Sequence, residues 1–314
     1  MQRARRTGIT MTEPTASRTD DRDQLTRFLI DTAGVRGVRV HLEDTWRQIR
    51  ERAEYPQAAA ELLGEAAAAA ALFTGHAKVD GRLSVQLRGD GALRTLFAEC
   101  TAAGTLRGIA QLAEEGSVSR DLRDLGPQAV LAITIENPPT ANGRDPMRYQ
   151  GLVALESDSL AGAFEDYFRQ SEQLPTRLLL AADDQRAAGL MLQKLPGDEG
   201  DEDGWNRAGA LFDTLSTQEL LEWDSSDLLT RLFHEDGVAI LGHKPLSFAC
   251  SCSRERVEAM LVSLGEDEAT AAVADGEARV RCEFCGQTYR FDEQQIATLF
   301  SKTAIELDAP DRVQ

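Results

Sequence analysis

The chain changes its hydrophobic period along its length, and the changes mark out its elements. DQLTRFLIDTAG predicts a short amphipathic helix, and the alternation around residues 38–42 predicts a strand. EYPQAAAELLGEAAAAAALFTG predicts a helix. It is rich in the best helix former, carries Pro56 near its first turn and meets Gly75 at its end, with Gly64 as its weak point. RLSVQLRGDGALRTLFAEC alternates on either side of a GDG turn and predicts a hairpin; TAAGTLRGIA, VLAITIEN and YQGLVALE predict further strands. LAGAFEDYFRQSEQL spaces Leu160, Phe164, Tyr167 and Phe168 as an amphipathic helix does, and RLLLAAD and GLMLQKL predict two strands around DDQRA. Together these give an α+β domain of mixed sheet and helix over residues 23–196, after a leader at 1–22 expected to be disordered.

GDEGDEDGW breaks the pattern with an acidic run that has little to bury. It opens a helical linker over residues 197–247. LFDTLSTQELLEWDSSDLLTRLFHEDG predicts short helices striped with Leu211, Leu215, Leu220, Leu221, Leu228, Leu229, Leu232 and Phe233, capped at Ser216 and Ser225. Helices this short are marginal alone, so they are expected to dock on the first domain, either permanently or conditionally. Residues 248–308 form a small last domain: a helix at SRERVEAMLVSLG, an acidic loop and a hairpin at ARVRCEFCGQTYRFD. A short disordered tail is expected at 309–314.

Composition narrows the functional classes. The mass of 34.3 kDa allows two modest domains or one with an appendage, and 42% apolar residues suffice for a core. Against 34 basic residues stand 52 acidic ones, a formal net charge of −18 that repels phosphate backbones and anionic lipid. Neither nucleic acid nor membrane is therefore an expected partner. The longest apolar run, AAAAAALF, is too short to span a bilayer. MQRARRTGITMTEP is basic but lacks the apolar stretch of a secretory signal, and Met11 is a second candidate start. A cytoplasmic location follows by elimination, and there clustered cysteines point to metal or redox chemistry.

Four of the five cysteines lie in two short stretches, Cys250-x-Cys252 and Cys282-x-x-Cys285. Two pairs of soft, anionic ligands suit one tetrahedral zinc ion, and Gly286 allows the tight turn of a metal knuckle. His234 and His243 are less suited than a complete set of four sulfurs; His41 and His76 have no cysteine or acid cluster at ligand spacing. Cys100, ending a predicted strand, is expected to be buried and inert. So small a module buries little core, and structural zinc contributes on the order of 10–16 kcal/mol of apparent free energy, so its fold should depend on the metal. Oxidation removes that support. Disulfides within each pair would close tiny loops and leave the module unfolded, whereas cross-pair disulfides would staple it.

Two other classes compete. A thiol–disulfide oxidoreductase needs a C-x-x-C at a helix N-terminus, whereas CEFC sits in a hairpin pattern. A nucleic-acid-binding zinc ribbon finds Arg254, Arg256, Arg279, Arg281 and Arg290 nearby, but these equally balance a zinc–tetrathiolate centre of net −2. RGDG lacks the context of a phosphate loop, and the adjacent Glu165 and Asp166 predict a solvated face, so no enzyme is expected.

At CSCSRER, CEFCGQTYRFD and LTRLFHED the chain resembles the heat shock protein 33 family of redox-regulated holdases. DGRLSVQLRGDGALRTLFAEC and RYQGLVALESDSLAGAFEDYFRQSEQLPTRLLLAA extend the likeness to residues 24–300. The resemblance implies an ATP-independent chaperone, idle while reduced and holding one zinc ion on Cys250, Cys252, Cys282 and Cys285. It implies that oxidation pairs Cys250 with Cys252 and Cys282 with Cys285, expels the metal and unfolds the module and linker. It further implies a homodimer, formed through residues 23–196, that holds unfolded or partly unfolded clients. The apolar stripe of Leu220, Leu221, Leu228, Leu229, Leu232 and Phe233 is the candidate client surface.

Overall fold

The computed structural model describes residues 22–139, 145–197, 203–274 and 276–307, with side chains to Ser301. Almost all of the predicted leader, residues 198–202 of the acidic run and the tail lie outside the described residues.

The first part of the chain forms strands β1 (Gln24–Ile30) and β2 (Val35–Leu42), helices α1 (Asp44–Arg50) and α2 (Gln57–His76), and strands β3 (Arg82–Arg88), β4 (Leu93–Thr101) and β5 (Thr105–Leu112). There follow β6 (Val130–Asn137), β7 (Met147–Val153), α3 (Leu160–Tyr167), β8 (Thr176–Ala182) and β9 (Ala187–Lys194). Next come α4 (Gly204–Phe212), α5 (Thr217–Glu222), α6 (Ser225–Phe233), β10 (Ala239–Pro245) and β11 (Ser247–Phe248). The last part holds α7 (Arg254–Leu264), α8 (Glu266–Ala271), the hairpin β12 (Glu277–Arg281) and β13 (Thr288–Asp292), and α9 (Glu293–Leu307).

Two sheets clasp α2. One runs β10-β1-β2-β9-β8, all antiparallel; the other runs β11-β5-β4-β3-β6-β7, antiparallel except for the β11–β5 pair. Alanine dominates α2 because a helix between two sheets has neighbours on every side, and small side chains let the sheets approach. Gly64, read from sequence as a weak point, is required by that approach: a Cβ there would lie 2.5 Å from Ala182 Cβ. By length and composition α2 could cross a membrane, which the AAAAAALF run alone does not suggest, but it is buried inside the protein.

Residues 24–30 are strand, not helix. Leu25 packs toward α2 while Phe28 and Ile30 face the opposite side, under the linker helices. Burial alternates from Thr26 to Ile30 with Arg27 exposed, but polar Thr26 is buried and apolar Leu29 only partly so, and polarity therefore does not follow the period of two. Pairing with β2 and β10 then decides the matter.

The linker helices lie on the outer face of the β10-β1-β2-β9-β8 sheet. Phe28, Val35, Leu190 and Leu192 of the sheet meet Phe212, Leu220, Leu228, Leu229 and Phe233 in one buried cluster. Phe28 and Phe233 stack with ring centroids 6.3 Å apart. Ser216 caps α5 in a capping box with Glu219, as its sequence predicts. The cap of α6 is instead Asp224, whose side chain accepts from Asp227 N at 2.8 Å. Ser225 turns inward, where fully buried Arg39 donates to its Oγ and to the carbonyls of Leu220 and Trp223.

Glu165 does not lie on a solvated face: its carboxylate accepts the Leu178 N–H of β8 at 2.7 Å, and burial raises its pKa. The expected acidic loop at 266–271 is helix α8, with Glu266, Asp267 and Glu268 favouring its N-terminal end.

Candidate metal centre

Cys250 and Cys252 lie between β11 and α7, and Ser253 caps α7 directly after them by accepting from Arg256 N at 3.3 Å. Arg256 reaches back to donate to the Ser251 carbonyl at 2.8 Å, fixing the bend between the two cysteines. Cys282 and Cys285 occupy the turn of the β12–β13 hairpin. There Gly286 N donates to Cys282 O and Cys282 N donates to Gln287 O, both at 2.8 Å. Gly286 holds φ at +73°, a conformation that costs glycine little and other residues more.

The turn and the bend bring four half-buried sulfurs within 4.8 Å of one another. Cys250 and Cys282 are 3.7 Å apart, Cys252 and Cys285 3.3 Å. A disulfide needs about 2.05 Å, so these are four free thiols. Four sulfurs about 2.3 Å from a central zinc would stand roughly 3.8 Å from each other, so the cluster could hold a tetrahedral metal ion. The cysteines alone make up this group; none of His41, His76, His234 and His243 belongs to it. Burial and then the neighbouring thiols push the Cys285 thiol up to about 12. A bound cation reverses that balance by stabilising thiolate. Tyr289 donates its hydroxyl to Cys252 Sγ at 3.2 Å, a contact that fits a sulfur carrying charge.

The neighbouring arginines are engaged inside the module. Arg254 lies over the Phe291 ring at 4.2 Å and donates to Glu258 and to the Arg290 carbonyl. Arg279 and Arg290 both pair with Glu277. The apolar core beneath is small: Val257, Leu261, Ala269, Ala278, Phe291 and Ile296 are its buried members among the described residues.

The two residues between Cys282 and Cys285 carry a contact that sequence reading misses. Phe284 meets Phe97 of β4 edge-on, with centroids 5.6 Å apart, and lies under the Arg107 guanidinium at 4.5 Å. Arg107 is itself held by buried Glu99 at 3.0 Å. Glu283 accepts from Gln111 at 2.9 Å, and Arg52 donates to the Cys285 carbonyl at 3.3 Å. The knuckle thus touches the outer face of the six-stranded sheet. A bulky aromatic placed mid-turn is the one sequence signal that could have suggested a docking role.

The remaining predicted positions are placed as follows. Leu220, Leu221, Leu228, Leu229 and Phe233 are buried against the sheet and Leu232 is partly buried, so the stripe is covered in this conformation. Cys100 is buried, and desolvation raises its thiol to about 11, in keeping with an inert role.

Fold and site together define a class: an α+β core with a helical linker and a terminal four-cysteine module that could hold a metal ion. The family model described as Hsp33 protein matches residues 23–292. A 33 kDa chaperonin of Ectopseudomonas mendocina is 44% identical over 294 residues, covering 91% of this chain and 98% of its own. One from Azotobacter vinelandii is 42% identical over 289 residues, covering 90% and 95%. The solved 33 kDa chaperonin of Thermotoga maritima superposes with a TM-score of 0.74 at 21% identity, over 90% of this chain and 99% of its own, a likeness of fold. This chain belongs to the Hsp33 family.

Proposed function

We propose that the protein is a redox-regulated, ATP-independent holdase of the cytoplasm. It would bind unfolding client proteins under oxidative stress rather than turn over a substrate. The observation that carries this reading is four thiols gathered within 4.8 Å on a module with only a small core of its own. Zinc, when bound to Cys250, Cys252, Cys282 and Cys285, supplies the charge that keeps four thiolates together and most of the module's folding free energy.

In this reading a peroxide oxidises Cys250 with Cys252 and Cys282 with Cys285. Each thiolate pair would give up two electrons as one S–S bond forms, and each peroxide, taking those electrons and two protons from solvent, would be reduced to two waters. Disulfide sulfurs no longer bind as thiolates, and neither two- nor three-bond loops restrain the unfolded chain. The module then unfolds, β11 loses its anchor and the linker helices leave the sheet. The uncovered face and the stripe from Leu220 to Phe233 hold clients, and the oxidised protein pairs as a homodimer through its first domain.

The test measures zinc content, thiol count and suppression of client aggregation on one sample before and after warm peroxide. One zinc, four reactive module thiols and idle protein should give way to no zinc, two disulfides and active holding. Mapping Cys250 to Cys282 or Cys252 to Cys285 by mass spectrometry would overturn the pairing, since those bridges staple the module shut.

A further inference from the structure

A cavity of about 220 Å³ is lined by residues of both sheets, α2 and the segment after α3, none of them in the cysteine module or the linker helices. Its walls are apolar, with Phe73 from α2, Leu83 from β3, Ile133 from β6 and Phe168 after α3. That space exceeds the roughly 150 Å³ known to admit benzene in a protein interior. Tyr149, half exposed on edge strand β7, and Glu172 stand on its open side.

One wall carries a positive charge held in a fixed position. Arg36 donates from Nε to Gln193 Oε1 at 3.1 Å and from Nη2 to the same oxygen, and Nη2 also donates to His76 Nε2 at 3.2 Å. Gln193 is itself buried and anchored on Thr176 Oγ1 at 3.0 Å. Both partners are neutral: burial and then Arg36 hold His76 down to about 4. Among the described residues no carboxylate pairs with Arg36, and burial alone acts to lower its pKa. The hydroxyls of Tyr149 and Tyr167 share one hydrogen bond of 2.9 Å, which leaves a second hydroxyl proton to donate. Glu172 is the one acid in the lining, and it is exposed to water where its charge is screened.

A partly buried guanidinium, preorganised by neutral groups beside an apolar cavity, suits an anion with a hydrocarbon body. We propose that this cavity binds a small amphipathic monocarboxylate, with its carboxylate on Arg36 and its hydrocarbon among Phe73, Leu83, Ile133 and Phe168. The site is independent of the redox reading, because it shares no residue with the metal centre or the linker.

Calorimetric titration of the reduced full-length protein with octanoate and with 1-octanol tests it. Octanoate should saturate one site and bind about tenfold or more tighter than the alcohol, the gain expected of a charge-assisted contact. Arg36→Met should abolish the preference while leaving octanol binding in place. Ala77→Leu, which narrows the cavity, should weaken both. Equal affinity of acid and alcohol in the unmodified protein overturns the assignment without recourse to any variant. Octanoate binding that is untouched by Ala77→Leu places the site elsewhere and also overturns it.

Discussion

The α+β core and the terminal module achieve their folds by different means. In the core, α2 is enclosed by two sheets, and apolar burial continues from Leu25 to Leu246 as one cluster. Burial of that extent, at about 25 cal/mol per Å², sustains a domain without help. The module has a handful of buried side chains and four sulfurs. In the proposed function such a protein would lose one end without losing the other. The sharpest break in the comparison is metal removal. A strong chelator under reducing conditions should strip hydrogen-exchange protection from Val257, Leu261, Ala278 and Phe291 while sparing α2, because about 10–16 kcal/mol of apparent stabilisation leaves the module alone. Retained protection in the stripped module would falsify metal-dependent folding.

The linker shares features of both regions. Most of its stripe is buried, Leu220 and Phe233 fully, yet it is docked from outside on one sheet face. Phe233→Ala and Leu229→Ala should each cost about 2–5 kcal/mol of docking, the usual range for large-to-small changes in packed sites. Released helices should quench or shift Trp223 emission and lower the peroxide needed for aggregation suppression. An unchanged threshold in both variants would separate linker docking from activity.

A smaller effect is confined to the core. His76 is held down to about 4 by burial and then by Arg36, below its unfolded value near 6.5. The unfolded chain therefore binds the extra proton between those values. Stability should be full above about pH 6.5 and fall as pH drops toward 4, by at most about 3 kcal/mol from this group. His76→Asn should flatten that part of the core's pH profile relative to the unmodified protein. Identical slopes for the two proteins would remove His76 from the account.

What sequence could reveal divides along the same lines. The gathering of Cys250, Cys252, Cys282 and Cys285 was legible because ligand spacing within each pair is a local property, and the β3–β4 hairpin was legible from its turn. Strand β1 was not, because buried Thr26 and partly exposed Leu29 put polarity out of step with its period of two. Strands β10 and β11 were missed because their partners are remote: Gln24 pairs with Pro245, and Ser247 with Thr105. Asp224 and Ser225 are both good caps in isolation, and only the buried Arg39 decides which of them turns inward. Glu283 and Phe284 looked like spacers between ligands, since nothing local announces a contact with Phe97 and Arg107.

That last contact joins the two regions and gives the mildest test. Phe284 owes its position to the turn set by Cys282, Cys285 and Gly286, and its ring meets the core through one aromatic and one guanidinium contact. Such contacts contribute roughly 0.5–1.5 and 0.5–1 kcal/mol. Phe284→Ala should leave zinc stoichiometry and the core's melting temperature unchanged, because the side chain lies in neither hydrophobic cluster. It should loosen the module from the sheet, seen as faster exchange around Gln111 and Cys285, and lower the peroxide threshold by a modest factor. Arg107→Ala removes only the guanidinium contact and also takes a partner from buried Glu99, so it should loosen the module less while lowering the core's stability. The double variant should shift the threshold little beyond Phe284→Ala, which already removes both contacts. Fully additive thresholds would show that the knuckle and the sheet respond separately, and that the module departs without any signal through Phe284.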